Sequence, residues 1–414
     1  MTEAAPATAP DATAVRGLLT PEAVRDRCGE ILDAGLGGGL DAFAVDMTAM
    51  DAAAARVVAE IRTNYPTLDV PFHSRWRHFE FGGADLWAQR AERRNLGGSA
   101  LAAAAGDLAI VSVLLDAGAG PDWEYTDAET GLRLGRSEGL ALASLRLFES
   151  GLLSADPDDP LRADASALAA LTAAQLGEAF QVGPDNPLVG LDQRAGLLQR
   201  LGETVGTAAA VFGRDGAVRP GHLVTALAER KELQARDILI ALLDNLMPIW
   251  PSPVRLDGMP LGDVGRHPAI VRPDATTGIV PFHKLSQWLS YSLIEPIQQA
   301  GAQVRDLDGL TGLAEYRNGG LFVDSGVLTL KNPDDAHSAH EPGSPLIVEW
   351  RALTVALLDR IAADVRAALG VTADRLPLAS VLQGGTWTAG RRIAAEKRPG
   401  GGPPIDIQSD ATVF

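Results

Sequence analysis

Glu315, Tyr316 and Arg317 stand side by side in "LTGLAEYRNGG", residues 310–320. A carboxylate, a phenol and a guanidinium in consecutive positions do not share a helix face, where cooperating groups fall three or four apart. In an extended turn successive side chains point different ways. Glu315 can then face a ligand while Tyr316 or Arg317 braces the turn, and Gly319 and Gly320 allow close backbone approach. A carboxylate so placed can stabilise a developing cation or activate a water molecule.

Four further stretches gather polar residues. "VPFHSRWRHFEFGG", 70–83, brings His73, Arg75, Trp76, Arg77 and His78 between a proline and two glycines, which suggests a loop. Arginine offers a planar fork for carboxylate or phosphate, and tryptophan a flat face. The segment reads equally well as a basic surface loop anchored by Trp76, Phe79 and Phe81. In "GPDWEYTDAETGLRLGRSEG", Asp122, Glu124 and Asp127 have the density of a metal site but lack the glycine and terminal glutamate of a calcium loop. Ser137 and Glu138 there read best as a helix cap and a first-turn charge. Asp244 interrupts an apolar helix that Trp250-Pro251 ends, and must be paired, neutralised or on the wet side. Lys284, Gln287 and Tyr291 fall on one helical face, flanked by His283 and Trp288, so their polar ends can converge on one ligand.

These residues need a scaffold, and 414 residues with 46% hydrophobic and 21% charged content match an ordinary globular protein. The 53 acidic against 36 basic residues oppose binding along a nucleic-acid backbone, which needs clustered Lys and Arg. Cys28 is the single cysteine, so no intrachain disulfide or multi-thiolate metal site can form. No stretch approaches the roughly 20 apolar residues of a membrane span, and no signal-like segment opens the chain. A cytoplasmic protein without membrane or nucleic-acid partners is expected.

Residues 1–12 read as a disordered tail. A capped helix follows, with Thr20 as N-cap and Pro21 at its first position. Periodicity predicts further helices over 51–63, 84–94, 107–117, 138–150, 163–179, 188–202, 221–229, 232–247, 283–300 and 346–369. Strand-like patterns are few: "GGLFVDSGVLTLK" predicts a hairpin around Asp324-Ser325-Gly326, and 270–272 a short strand. The expected fold is mainly α, with an N-terminal helical lobe over 13–180 and a C-terminal lobe over 181–414 that carries much of the site.

"VPFHSRWRHFEFGG", "DWEYTDAETG", "GRSEGLALASLRLFESG", "AEYRNGGLFVDSGVL" and the ending "GPPIDIQSDATVF" together resemble the fungal and bacterial family of the fourth uracil-catabolism (URC/urg) protein, over nearly the whole chain. More distantly, "FHKLSQ" followed by "LTGLAEYR", with Glu315 lying 31 residues after Lys284, is similar to the paired "FYK-x-AQ" and "LT-x-x-x-DYR" motifs of the queuosine-salvage nucleoside hydrolases. "LLDNLMPIWP" resembles a helix of the same enzymes, while Glu315 stands where they carry aspartate and "NGG" replaces their "VPQ".

The two resemblances imply a helical, DNA-glycosylase-like body and N-glycosidic bond hydrolysis in uracil breakdown. The substrate would be a ring-opened ribosylurea, with or without its 5′-phosphate, split to urea and ribose or ribose 5-phosphate. That chemistry passes through an oxocarbenium-like cation and needs a carboxylate beneath the sugar. Glu315 is the candidate, with Lys284 holding it ionised or binding the sugar. Arg317 and the Arg75/Arg77 pair are candidates for the phosphate, Asp244 or Asp324 for the urea NH₂ groups, and Trp250 or Trp288 for stacking on the urea plane. His73, Trp76, His283, Gln287 and Tyr316 complete the expected binding set, and no cofactor or metal is implied. Two alternatives stand beside this reading. One is a metal-dependent amidohydrolase using His73, His78 and the acids of 122–127, and the other a nucleotide-binding protein without catalysis.

Overall fold

A computed structural model describes residues 12–408 except 251, 253 and 257. The tail expected over 1–12 lies outside the described residues up to position 11, and residue 12 opens a short helix, Ala12–Gly17. Thr20 caps the next helix, Pro21–Leu36, as expected, its hydroxyl accepting from the Ala23 N–H at 3.2 Å.

Helices dominate. Strands occur only in two-stranded pairs among the described residues, so no sheet organises the fold. The helix Gly98–Leu114 is apolar on every side, as a helix surrounded by protein must be. It packs against His222–Ala228, Arg136–Glu149 and Lys284–Gln299. Gly106 permits this, because a Cβ there would meet the Gly221 Cα at 3.0 Å and a Val224 methyl at 2.7 Å. On the far side Pro345–Leu369 packs against Pro21–Leu36 and Met50–Asn64. The main apolar core runs without a break from Val24 to Ile405.

Several expectations need correction. The predicted 163–179 helix is two, Ala165–Ala170 and Ala173–Ala179, because Thr172 and Gln175 form a reciprocal capping box that starts the second afresh. The predicted 107–117 helix begins earlier, at Gly98, through the alanine run. The hairpin around 324–326 does not form. Tyr316–Asp324 is a helix whose Leu321 and Phe322 are fully buried, and Leu328–Leu330 pairs instead with Phe43–Val45, Phe43 opposite Leu330. The strand expected at 270–272 lies to either side, with Val264–Arg266 pairing against Ile279–Pro281.

Sequence reading also missed the run from Leu378 to Lys397. Leu378–Val381 passes through a π-helical turn, Leu382–Thr386, into Trp387–Lys397. Gly384 and Gly385, which argue against helix by propensity, are there for packing. A Cβ on either would meet Val70 or Val57 at 2.6 and 2.5 Å.

Candidate active site

Glu315 is the N-cap of the Tyr316–Asp324 helix. Its backbone is extended (φ −129°, ψ 156°), and its carboxylate accepts from the Asn318 N–H at 3.0 Å, so residues 315–317 are a helix start rather than an extended turn. The helix end explains the triplet in another way. A cap and the first two helical residues splay outward, and Glu315, Tyr316 and Arg317 all line one cavity of about 410 Å³. The two glycines that follow serve packing as well. A Cβ on Gly319 would lie 2.7 Å from the Thr354 hydroxyl, and one on Gly320 3.3 Å from Pro404.

Lys284, first residue of the helix Lys284–Gln299, lines the same cavity. Asp263 fixes that helix start: its carboxylate accepts the Lys284 N–H at 2.9 Å and is gripped in a fork by Arg351 at 2.8 and 2.7 Å. Gln287 and Tyr291 bind the irregular segment leading to Glu315 rather than a ligand. The Gln287 side chain accepts from the Thr311 N–H at 3.3 Å, and the Tyr291 hydroxyl donates to the Thr311 carbonyl at 2.9 Å. The spacing of Lys284, Gln287 and Tyr291 thus pins the two motif segments to each other, with Lys284 alone of the three at the cavity.

Burial pushes the Glu315 carboxyl up, against the opposing pull of Lys284 and of the Asn318 N–H. Burial likewise pushes the Lys284 ammonium down, against Glu315. Each group partly offsets the shift that burial imposes on the other, in a site that favours the neutral forms.

The remaining wall is built from His73, His78, Leu285, Trp288, Leu313, the 116–121 loop, Arg136, Ser137, Glu138, Trp387, Arg391 and Gly401–Pro403. His73 is held through Nδ1 by Gln383 of the π-helical turn at 2.8 Å. Burial lowers both histidines, His78 strongly, with Arg75 adding to the effect there. Asp116 pairs with Arg75 at 3.3 Å, while its Oδ1, like Trp288 Nε1, is buried without a hydrogen-bond partner.

Other expected ligand residues lie elsewhere. Arg75 is fully buried behind the wall, donating to the Ser112 hydroxyl at 2.6 Å, with its guanidinium 5.5 Å from the Trp288 ring. Arg77 pairs with Glu295 at 2.8 Å and Glu80 at 2.9 Å, in a separate depression. Trp76 donates to the Ser292 carbonyl at 2.7 Å and packs on Phe79 and Trp87, which is the anchoring reading of that segment. Asp244 is exposed on the wet side of its helix. Trp250 and His283 lie at a small separate void beside Asp263, with His283 Nε2 3.0 Å from the Leu18 carbonyl. Asp324 is paired to Arg398 at 2.7 Å. Of the acids at 122–127, Glu124 pairs with Arg133 and Asp127 with Arg146 at 2.8 Å.

The sequence does not single out Asp116, Trp387 or Arg391, and it marks Arg136 only as the opening of a helix. Trp387 and Arg391 carried a signal, a helical spacing of four in "TWTAGRRI", but Gly384 and Gly385 before it and Gly390 within it masked the helix. Asp116 and Arg136 sit at a helix end and a helix start, which look like ordinary caps.

Fold and site together define a mainly helical protein with a carboxylate–ammonium cavity of small-molecule size. The chain belongs to the family described as "Protein of unknown function (DUF1688)", whose model matches residues 17–414. It is 40% identical to "Protein urg3" of Schizosaccharomyces pombe, over 97% of this chain and 99% of that protein. It is 37% identical to "Uracil catabolism protein 4" of Lachancea kluyveri, over 90% of this chain and 92% of that protein.

Proposed function

We propose that this protein acts in uracil catabolism as an N-glycoside hydrolase, splitting a ribosylurea-type, ring-opened product into urea and the sugar. The supporting observation is that Glu315 and Lys284, far apart in the chain, face one cavity and each partly offsets the shift that burial imposes on the other. The name of the Lachancea relative supplies the pathway.

In the reaction the bond from C1′ to the urea nitrogen breaks, a water oxygen adds to C1′, and one water proton ends on the departing nitrogen. Glu315, ionised beside Lys284, offsets the positive charge that develops on the ring and accepts the proton of the attacking water. Lys284 keeps the carboxylate charged and reaches sugar hydroxyls. Trp288 and Trp387 give the cavity flat faces for a planar ureido group. The apolar side chains of Leu285 and Leu313 exclude bulk water, which strengthens each charge interaction.

Glu315→Gln keeps the volume and removes the charge. Turnover of ribosylurea substrates should fall by about 10² or more, since a positioned acid–base group contributes that much. A folded variant turning over at the wild-type rate rejects the assignment.

A further inference from the structure

We infer that the cavity contains an anion subsite for a phosphomonoester, formed by Arg136, Arg317 and Arg391 around Tyr316, and therefore that the substrate enters as the 5′-phosphate. The inference deepens the hydrolase reading for what is turned over, but the binding it describes stands without it.

The chain as a whole carries 53 acidic against 36 basic residues. The cavity wall reverses that balance, with Lys284, Arg136, Arg317 and Arg391 against Asp116, Glu138 and Glu315. With Lys284 set against Glu315 and the buried Arg75 paired with Asp116, three guanidinium groups and one further carboxylate, Glu138, remain on the wall, and of the three Arg391 touches it. A phosphomonoester, carrying about −1.5 to −2 at pH 7, fills that deficit.

The three arginines arrive on separate helix elements. Arg136 opens Arg136–Glu149 in the left-handed region (φ +53°), which a non-glycine residue rarely occupies. It is exposed, lines the cavity and has no ion-pair partner among the described residues, and its charge acts on the Tyr316 phenol. Arg317 spends one nitrogen on the Gly401 carbonyl at 2.8 Å, and its guanidinium lies 4.9 Å from the Tyr316 ring. Arg391 rests 5.6 Å from the Trp387 ring and 3.5 Å from Glu138, a loose contact with the side chain 55% exposed. An anion of higher charge outcompetes Glu138 for it. The helix at Arg136 has no side-chain cap, so its first N–H groups add donors at the same wall.

The subsite shares its cavity with the reacting carboxylate. Glu315, Tyr316 and Arg317 are consecutive and line that cavity together with Arg136 and Arg391, so one ligand can meet both the carboxylate and the arginines. The other arginines considered for phosphate, Arg75 and Arg77, are spent on Asp116 and on Glu295 and Glu80.

Calorimetry with ribose 5-phosphate and with ribose, on the full chain and on Arg136→Ala and Arg391→Ala, tests the subsite. Circular dichroism checks that the two variants, both changed at exposed side chains, are folded. Wild-type protein should bind ribose 5-phosphate at least roughly tenfold more tightly than ribose, and each variant should move that ratio toward one. Equal affinities in the wild type, or a ratio unchanged in both variants, overturns the proposal. The hydrolase reading fails separately: ribose 5-phosphate would then bind in an arginine-dependent way while ribosylurea 5-phosphate is left intact.

Discussion

Glu315 does two jobs at one position. It closes the first turn of its helix through Asn318, which fixes the direction of the carboxylate, and it faces Lys284 across the cavity. The charge balance gives a prediction with a definite sign. Burial raises the Glu315 carboxyl and Lys284 pulls it back down, so Lys284→Met removes the opposing pull and the carboxyl rises further. If the ionised form is the working form, the acidic limb of kcat/KM against pH moves to higher pH in Lys284→Met. A limb that stays in place or moves to lower pH shows that the two groups do not act on each other. The residue types of this pair were legible in the sequence, and their pairing was implied by the resemblance to the paired motifs of the nucleoside hydrolases. Arg77, Asp244 and Asp324 were equally good by type, and only the fold shows that one is paired on the far side of the wall, one is in water and one is bound to Arg398.

At the scale of elements, the site depends on helix starts: Glu315 and Lys284 each stand at one, as does Arg136. The starts are set by packing that glycine allows. Gly390 lets Trp387–Lys397 close on Tyr316–Asp324, since a Cβ there would fall 2.2 Å from the Arg317 carbonyl oxygen, an impossible contact. Gly390→Ala should therefore force the two helices apart and cost about 1–3 kcal/mol of stability, as overpacking does. It should also impair turnover, because Glu315 moves with its helix. Thermal unfolding and kcat measured on the same sample check this, and loss of neither puts the helix contact in doubt. Long helices with clear apolar periodicity, such as Pro345–Leu369, could be read from sequence to within a residue or two. Tyr316–Asp324 and Trp387–Lys397 could not, because their glycines carry low helix propensity and their apolar positions match a strand as well as a helix. The C-terminal Gly/Pro-rich end, unassigned by sequence, supplies Gly401–Pro403 to the cavity wall and pairs Asp406–Ile407 with Ala339–His340.

The whole molecule is an acidic helical body in which no described helix is long and apolar enough to cross a membrane. His73, His78, His222 and His283 are all held below their ordinary value by burial. The unfolded chain binds protons at these positions that the folded chain refuses, so their contribution to stability is present above about pH 6.5 and is lost as pH falls below it. The carboxyls of Asp107, Glu295 and Glu315, raised by burial, act in the opposite direction. Replacing His78, the most strongly lowered ring, by Gln should therefore lessen the fall of Tm between pH 7.5 and pH 5.5 in scanning fluorimetry, and a Tm slope equal to wild type contradicts the burial of that ring. A net charge of −17 argued against a polyanion partner, but it could not show that the cavity wall is locally basic, since charge totals carry no position. The most direct test of the account is product analysis after incubating purified protein with ribosylurea 5-phosphate. Hydrolysis at C1′ predicts urea and a reducing pentose phosphate in equal amounts, without ammonia. Ammonia and carbon dioxide from attack at the ureido carbonyl, or substrate recovered unchanged, would contradict it.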